Sequence, residues 1–218
     1  MGYFRELPNL QYQSPYSNRI SSASYVTAKN IFRRMKIRDD LKNVLSVFNK
    51  YEIDDGDRPD TVARDLYGKS NLDWVVLITA NIINVRDEWP LSSKELYDFT
   101  VSKYGLTEIN KVRHYETTEV KNKNKVIILP KGKIVDKEFK IPTPDSANDS
   151  ENQLNPVRGV TYYEYESNEN EKKRNIDILR SEYLQQFLND IKNEMIYKKS
   201  SQFVNDRLIK TENTRVTN

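Results

Sequence analysis

The pattern of apolar and polar residues over positions 51–83 gives the clearest structural signals in the chain. Apolar residues, mostly β-branched or aromatic, predict a short strand, and the Asp-Asp-Gly-Asp stretch at residues 54–57 predicts a turn. Pro59 suits the first position of a helix, because its missing N–H would have no partner there, and Gly68 suits a left-handed C-cap. The pattern therefore predicts a short helix from Pro59 to Tyr67.

A second helix is predicted directly after the first. Ser70 and Asn71 are both N-cap candidates, and Ser70 with Asp73 has the spacing of a capping box. The following run is apolar on nearly every side: Trp74, Val75, Val76, Leu77, Ile78, Ala80 and Ile82. We therefore expect this helix to be buried.

Two further patterns predict helices. Ser92 and Glu95 have capping-box spacing, and Gly105 ends the periodic stretch, which predicts a helix between residues 92 and 105. Near the end of the chain, apolar residues recur at i, i+3, i+4, i+7 and i+11: Leu184, Phe187, Leu188, Ile191 and Met195. This stripe predicts an amphipathic helix over residues 181–197, which packs either on its own domain or on a partner subunit.

Between these helices, the sequence favours strands. Residues 111–120, 126–129 and 134–141 are predicted strands, separated by Lys/Asn and Pro-Lys-Gly turns. Residues 142–158 are rich in Pro, Ser, Asn and Asp, which predicts a loop or linker. The tyrosine-rich stretch after Val160 predicts another strand, which would pair back with the hairpin.

Residues 1–29 show no period that lasts long enough to build an element. The segment is nevertheless rich in aromatic side chains, which are favoured at protein interfaces. These are Tyr3, Phe4, Tyr12, Tyr16 and Tyr25. One interpretation is an extended arm laid across a neighbouring subunit, and the other is an ordinary unstructured terminus.

Residues 30–50 mix apolar and charged positions and fit either a strand or a helix. We expect irregular or strand structure up to Ile37 and a strand over residues 44–53. From residue 200 onward the chain is polar, and we expect it to fray.

The predicted order of elements resembles a LysM-like unit: a strand, a Gly-Asp turn, a short helix ending in Tyr-Gly and a second helix ending in Asn. Arg58-Pro59, Leu66-Tyr67-Gly68 and Trp74-Val75-Val76-Leu77 extend the likeness. With them, the chain resembles the baseplate wedge proteins of contractile-tailed (myovirus) bacteriophages. Members of that family embed a LysM-like core in a longer chain with an N-terminal arm and a C-terminal helix. The resemblance covers residues 30–89 and 176–197.

The resemblance implies an α+β fold around a small core of strand, two helices and strand. Its parts would be an extended N-terminal arm (1–29), a LysM-like core with the following helix (30–105), a β-hairpin unit with a polar loop at 142–158 (106–170), and a C-terminal helix with a frayed tail (171–218).

The resemblance also implies a structural function in the virion, after assembly in the host cytoplasm. The protein would clamp neighbouring wedge subunits and help to join wedges, in sixfold symmetry, around the tail hub. Its partners would be other baseplate wedge proteins and hub-proximal tail proteins, including the sheath-initiating subunit. The residues expected at these contacts are Tyr3, Phe4, Tyr12, Tyr16, Arg58, Tyr67, Trp74, Trp89, Phe187 and Ile191.

A LysM-like unit raises a second hypothesis, a module that binds peptidoglycan or chitin, possibly within a cell-wall lytic protein. The resemblance would place the sugar between Gly56, Asp57 and Arg58 on one side and residues 81–85 on the other. Small polar residues usually follow Gly-Asp in such modules, whereas Arg58 and Pro59 follow it here. A bulky Arg58 would crowd the groove, and the usual return strand after residue 84 is obscured.

Composition favours an assembly component over a free enzyme. The chain has 218 residues, of which 37% are hydrophobic, so its core is small for its length. We expect neighbouring subunits to supply part of the missing interior. A net charge of +3 from 35 basic and 32 acidic residues is too balanced for a nucleic-acid-binding protein. Seven lysines concentrate at positions 121–140, either as solvated strand edges or as a surface for an acidic partner.

Residues that would form a catalytic or metal site are mostly missing. The chain has no cysteine and a single histidine, His114, which we expect to be a plain surface residue. Glu88 beside Trp89 and Asp73 beside Trp74 are better explained as loop and first-turn acids than as a glycosidase pair. We therefore expect no catalytic residue, cofactor, metal or small-molecule substrate.

No run approaches the ~18 apolar residues of a membrane span, and the first residues lack the features of a signal peptide. We expect no membrane contact and synthesis in the cytoplasm.

Overall fold

A computed structural model of the protein describes residues 2–14, 25–37, 47–143 and 153–211. The helices are α1 (Tyr3–Glu6), α2 (Pro59–Tyr67), α3 (Asp73–Thr79), α4 (Val85–Glu88), α5 (Ser93–Tyr104), α6 (Tyr162–Arg174) and α7 (Leu184–Glu194), with 3₁₀ turns at Ser70–Leu72 and Ser181–Tyr183. The strands are β1 (Asn9–Gln13), β2 (Tyr25–Lys29), β3 (Phe48–Glu52), β4 (Val112–Thr117), β5 (Val120–Lys121), β6 (Ile127–Leu129), β7 (Ile134–Val135), β8 (Ile141–Pro142), β9 (Gln153–Leu154), β10 (Val157–Thr161), β11 (Asn175–Leu179), β12 (Phe203–Asn205) and β13 (Leu208–Lys210). The mixture confirms the predicted α+β class.

The chain forms two compact units. Met1–Trp89 and Asn175–Asn218 form the first, which we call the terminal unit, and Pro90–Arg174 form the second, which we call the inserted unit. Helix α5, which the sequence suggested as an extension of the core at 30–105, packs against α6 and belongs to the inserted unit.

The predicted helix from Pro59 to Tyr67 is confirmed as α2. Pro59 occupies its first turn, and Gly68 ends it in the left-handed region at φ 71°, where its N–H donates to the carbonyl of Arg64 at 2.8 Å. The predicted capping box at Ser70 is wrong. A 3₁₀ turn occupies Ser70–Leu72, so α3 begins only at Asp73 and has no side-chain cap.

Strand β3 pairs antiparallel with β11, from Phe48 opposite Leu179 to Glu52 opposite Asn175. The order β3, α2, α3, β11 is therefore strand, helix, helix, strand. The return strand comes from beyond the inserted unit, whereas the short helix α4 follows Asn84, whose side chain caps it by accepting from the N–H of Arg86. The LysM-like character of this unit stays a prediction.

The terminal unit has the larger apolar interior. Its least exposed hydrophobic side chains are Leu7, Ile53, Val62, Ala63, Val75, Val76, Ile191 and Met195. They come from the N-terminal segment, from the residue after β3, from α2 and α3, and from α7 and the residue after it. This core therefore joins parts of the chain that are far apart in sequence. Fully burying one of the Val, Leu, Ile or Met side chains among them stabilises a fold by roughly 1.5–3 kcal/mol.

The chain ends are more structured than the sequence predicted. Strand β1 pairs antiparallel with β2 and parallel with β13, and β12 completes a sheet in the order β12-β13-β1-β2. The described parts of residues 1–29 are therefore not a simple extended arm, and the chain is paired, not frayed, from Phe203 to Lys210. Tyr16 and residues 38–46 lie outside the described residues.

The segment after β2 also ties the terminal unit together. The guanidinium of Arg33 donates to the carbonyls of Glu194 and Ile196 at 2.5 and 3.3 Å, at the C-terminal end of α7. The same guanidinium lies over the Tyr197 ring, and Asn30 donates to the Tyr197 hydroxyl at 2.9 Å. A cation at this end is favourable, because unpaired carbonyls and the helix dipole make it negative.

The inserted unit combines α5 and α6 with small antiparallel sheets, ordered β10-β4-β7, β5-β6 and β8-β9. The capping box of α5 is confirmed, since Ser92 and Glu95 bond each other's backbone. The strand predicted in the tyrosine-rich stretch after Val160 is wrong. Strand β10 ends at Thr161, and the tyrosine-rich stretch itself begins α6. The rings of Tyr162 and Tyr163 pack there against Tyr104 and Tyr97 of α5.

Candidate interaction surfaces

Several residues predicted as partner contacts pack instead inside the terminal unit. Trp74 is 6% exposed, with its ring between Tyr3 at 5.7 Å and Phe187 at 6.5 Å between ring centroids. These aromatic rings join α1, α3 and α7. Ile191 is 1% exposed in the same core. Trp74 and Ile191 are therefore core residues, and Tyr3 and Phe187 are only partly available to a partner.

At the predicted contact edge around Arg58, Tyr67 and Trp89, the two aromatic side chains pack within the terminal unit and are not free for a partner. Trp89 is 6% exposed, and its indole N–H donates to the carbonyl of Asp57 at 2.8 Å. The Tyr67 hydroxyl donates to the carbonyl of Leu179 at 2.8 Å, and burial raises the pKa of this phenol. Both side chains fasten elements of their own unit. Arg58 remains exposed and pairs with Asp60 at 3.3 Å.

In the groove predicted for a sugar, several polar backbone groups are already in hydrogen bonds. The Trp89 indole N–H donates to the Asp57 carbonyl. The Glu88 carboxylate accepts hydrogen bonds from the N–H groups of Ile83 and Asn84 at 2.7 and 3.3 Å. A glycan would have to displace these bonds, so the arrangement counts against the peptidoglycan-binding hypothesis.

Large apolar side chains are exposed on α1 and in the turn after β2, both in the terminal unit. Phe4 is 66% exposed, and Ile31 and Phe32, in the turn after β2, are 65% and 87% exposed. Tyr3 links the two places, because its ring contacts Phe4 and its hydroxyl donates to the carbonyl of Arg33 at 3.3 Å. We call Phe4, Ile31 and Phe32 the aromatic patch. Of these, the sequence prediction included Phe4 alone, because the 30–50 segment had no clear period.

Two more features of the terminal unit remain accessible. Tyr12, on β1, is 36% exposed. A groove of about 420 Å³ opens beside Phe187, with an apolar floor that includes Phe48, Ile78 and Leu179. Lys36, Asp190 and Glu194 line it as well, so charged groups of both signs border the groove.

The interior of the inserted unit relies on polar side chains. Asn170 is 3% exposed, and its amide accepts from the Leu91 N–H at 2.8 Å and donates to the Leu91 carbonyl at 2.9 Å. Glu166 accepts from Lys103 at 2.8 Å and from the Tyr104 hydroxyl at 2.7 Å. Among the described residues, no buried side-chain nitrogen or oxygen lacks a partner.

These bonds set the ionisation of the Glu166 carboxyl. Burial by itself raises its pKa, but the hydrogen bonds from Lys103 and Tyr104 favour the charged form, and the net effect lowers the pKa below its ordinary value. The hydrogen bond to Glu166 correspondingly raises the pKa of Lys103. The pair is a structural ion pair, because both of its charges are already satisfied within the unit.

His114 is not the plain surface residue that the sequence suggested. Its side chain is 14% exposed, its Nε2 lies 2.9 Å from the Glu116 carboxylate, and its ring meets Tyr165 edge-on. The guanidinium of Arg113 covers the same tyrosine ring at 3.5 Å. These contacts connect β4 to α6 and bring no nucleophile to the histidine.

The inserted unit also exposes aliphatic side chains at and beside β6 and β7. Val126, Ile127 and Ile128 are 58%, 50% and 51% exposed, and Ile134 is 74% exposed. Lysines flank these residues on both sides. The sequence pattern predicted strands here but not the exposure of their apolar side chains.

The profile of a protein family described as base plate wedge protein 53 matches residues 8–193. The chain belongs to this family. The match to the base plate wedge protein 53 family includes the whole inserted unit and the β3–β11 pair, and it ends before β12. Among curated proteins, no sequence matches the chain significantly.

Membership of the base plate wedge protein 53 family confirms the predicted class of protein. It makes the chain a structural component of the bacteriophage tail baseplate, located in the virion and in contact with other baseplate proteins.

The described ranges contain no group of three or more His, Asp or Glu side chains that could hold a metal ion. Within the same ranges, no helix combines the length and apolar character that crossing a bilayer requires. Because a baseplate wedge protein contacts other baseplate proteins, interaction surfaces are its candidate sites.

Proposed function

We propose that this protein clamps neighbouring wedge subunits and helps to join wedges around the tail hub, without a catalytic step. Its partners would be other wedge and hub-proximal tail proteins, including the sheath-initiating subunit. A clamp needs separate contact surfaces, each able to hold a different neighbour. The observation that supports this function best is that each unit exposes its own group of large apolar side chains.

In the terminal unit, this surface is the aromatic patch. Phe32 and Phe4 project from a turn and a short helix that Tyr3 and Arg33 fasten to the core. Because their backbone is already fixed, binding would cost little ordering entropy. Aromatic anchors of this kind carry much of the binding energy at protein interfaces. A stable contact of ~1,600 Å² would need further residues around them, for which Tyr12, Tyr3 and Phe187 are candidates.

The exposed apolar residues of the inserted unit provide the second surface. With an interface in each unit, loss of one would weaken one neighbour's binding and leave the other's intact. This behaviour distinguishes a clamp from a subunit with a single interface.

The proposal is tested by co-expressing the chain with each wedge protein of the same phage and measuring the affinity of the purified partners. We expect the double variant Phe4→Ser/Phe32→Ser to lose at least one partner by about tenfold or more in affinity. A matched control is Ile83→Ser/Val204→Ser, which replaces exposed apolar residues elsewhere in the same unit. Failure of the unchanged chain to bind any wedge protein would refute the proposed function.

A further inference from the structure

Residues 121–134 form a segment that we call the lysine hairpin. Strands β5 and β6 pair with Val120 opposite Leu129 and Lys121 opposite Ile127, so Ile128 is an extra residue that bulges from the ladder. Asn122 fixes the turn at the tip. Its side chain accepts from the N–H of Val126 at 2.9 Å, and its carbonyl accepts from the N–H of Lys125 at 3.0 Å.

A buried threonine holds the second turn of this segment. The hydroxyl of Thr117, which is fully buried, donates to the carbonyl of Pro130 at 2.7 Å and accepts from the N–H of Lys133 at 3.1 Å. The backbone of Thr117 also bonds Gly132 and Lys133, each at 2.9 Å. Lys131 and Lys133 therefore extend from a turn whose backbone is fixed before any partner binds.

The exposed side chains between these turns are aliphatic. Val126, Ile127, Ile128 and Ile134 are each at least 50% exposed. Leaving apolar surface in water costs roughly 25 cal/mol per Å², so exposed aliphatic side chains at three consecutive residues, 126–128, indicate a binding surface.

The charge of the segment defines the partner. Residues 121–134 contain five lysines and no acidic residue. Lys121 pairs with Glu119 at 2.6 Å, whereas Lys131 and Lys133 lie on the exposed second turn. An apolar surface flanked by positive charge is complementary to an apolar patch with an acidic rim.

We propose that the lysine hairpin docks on an acid-rimmed apolar patch of a neighbouring baseplate subunit, an inference that rests on the proposed clamping function. The aliphatic side chains would make the buried centre of the contact, and Lys131 and Lys133 would pair with carboxylates at its rim. A folded protein surface fits better than a single-stranded nucleic acid, because the hairpin offers no aromatic ring on which bases could stack.

The test uses the full chain and each purified wedge protein of the same phage. We expect Lys131→Glu/Lys133→Glu to weaken binding of one wedge protein about tenfold, with a loss that shrinks as salt concentration rises. Ile127→Ser/Ile134→Ser should weaken the same partner about tenfold or more, with little salt dependence. Lys94→Glu/Lys137→Glu makes the same charge change outside the hairpin and should bind as the unchanged chain does.

The outcomes separate this inference from the proposed function. If the unchanged chain binds wedge proteins and both hairpin variants bind equally well, the inference is wrong, and a clamp would need its second surface elsewhere in the inserted unit. If the unchanged chain binds none of them, the proposed function itself fails. Binding of the hairpin to phosphatidylserine vesicles or to single-stranded DNA, lost in the same variants and without a protein partner, would also overturn the inference. Circular dichroism of each variant checks that the fold is retained.

Discussion

The terminal and inserted units are stabilised in different ways. The terminal unit packs Leu7, Val75, Ile191 and Met195 into an apolar core that draws on both ends of the chain. The inserted unit has few fully buried apolar side chains among its described residues and depends on buried polar ones, Asn170 and Thr117 above all. We therefore expect side-chain shape and volume to dominate the stability of the terminal unit, and hydrogen-bond satisfaction to dominate that of the inserted unit.

The two units can be followed separately by spectroscopy. Both tryptophans, Trp74 and Trp89, lie in the terminal unit and are buried. Tryptophan fluorescence therefore reports unfolding of that unit, while amide hydrogen exchange of β4, α5 and α6 reports opening of the inserted unit.

The largest effect is expected from a cavity in the terminal core. Ile191→Ala should lower the free energy of unfolding by about 3 kcal/mol, because α7 cannot collapse to fill the space. Tryptophan fluorescence during urea unfolding measures this change. Ile83→Ala, at a residue that is 66% exposed, is the control and should stay within ~0.5 kcal/mol of the unchanged chain. Equal effects of the two changes would show that the apolar core does not dominate this unit.

A second change tests the polar interior of the inserted unit. Asn170→Leu keeps an approximate side-chain volume but leaves the N–H and carbonyl of Leu91 without partners, which should cost about 2 kcal/mol. Hydrogen exchange in α5 and α6 should accelerate, while tryptophan fluorescence detects little change. Asn168→Leu is the matched control, because Asn168 is exposed on the same helix. A neutral Asn170→Leu variant would remove the contrast between the units.

Thr117→Val, an almost isosteric change, tests a second buried polar side chain of the inserted unit. The methyl group fills the site of the hydroxyl, but Pro130 loses a donor and Lys133 loses an acceptor, so we expect a loss of about 1–2 kcal/mol. The amide of Lys133 should exchange faster. Thr118→Val serves as the control, and identical exchange in both variants would argue against the role assigned to Thr117.

The smallest effect is expected from pH. Because the native pKa of Glu166 lies below its ordinary value, the carboxylate stabilises the fold above that value and loses the contribution as pH falls through the native pKa. Lys103 is partly exposed, so the effect on unfolding should be under ~1 kcal/mol. Acid titration of the unfolding free energy should show a step in the unchanged chain that is missing in Glu166→Gln. A step of the same size in both proteins would assign it to other carboxyls.

The sequence predicted elements whose signals are local. Pro59 and Gly68 bracket α2, and Ser92 with Glu95 starts α5, because caps and turns act within a few residues. Family resemblance, carried by the same segment, predicted the class of protein.

Long-range features could not be predicted in this way. The parallel partner of β1 lies about two hundred residues away, and no local pattern specifies that pairing. Strand β11 did carry a signal, the alternation of Ile176 and Ile178 with polar residues, but it adjoins a stronger helical pattern. The strand predicted after Val160 failed because its tyrosines contact α5 from a helix.

The predicted partner contacts show the same limit. Aromatic and apolar side chains are common in both cores and interfaces, so the sequence could not separate Trp74, Trp89 and Ile191, which are buried, from Phe4, which is exposed. Phe32 lay in an ambiguous segment and was missed. Only the fold distinguishes the residues that the chain covers by itself from those left for a partner.

An electron cryo-microscopy structure of the assembled baseplate tests the clamp most directly, through the solvent exposure of Phe32 and Ile134 within it. We predict that both side chains, which are 87% and 74% exposed in the free chain, lose most of that exposure against other baseplate subunits. If both side chains stay as exposed in the assembled particle as in the free chain, the clamping function is contradicted.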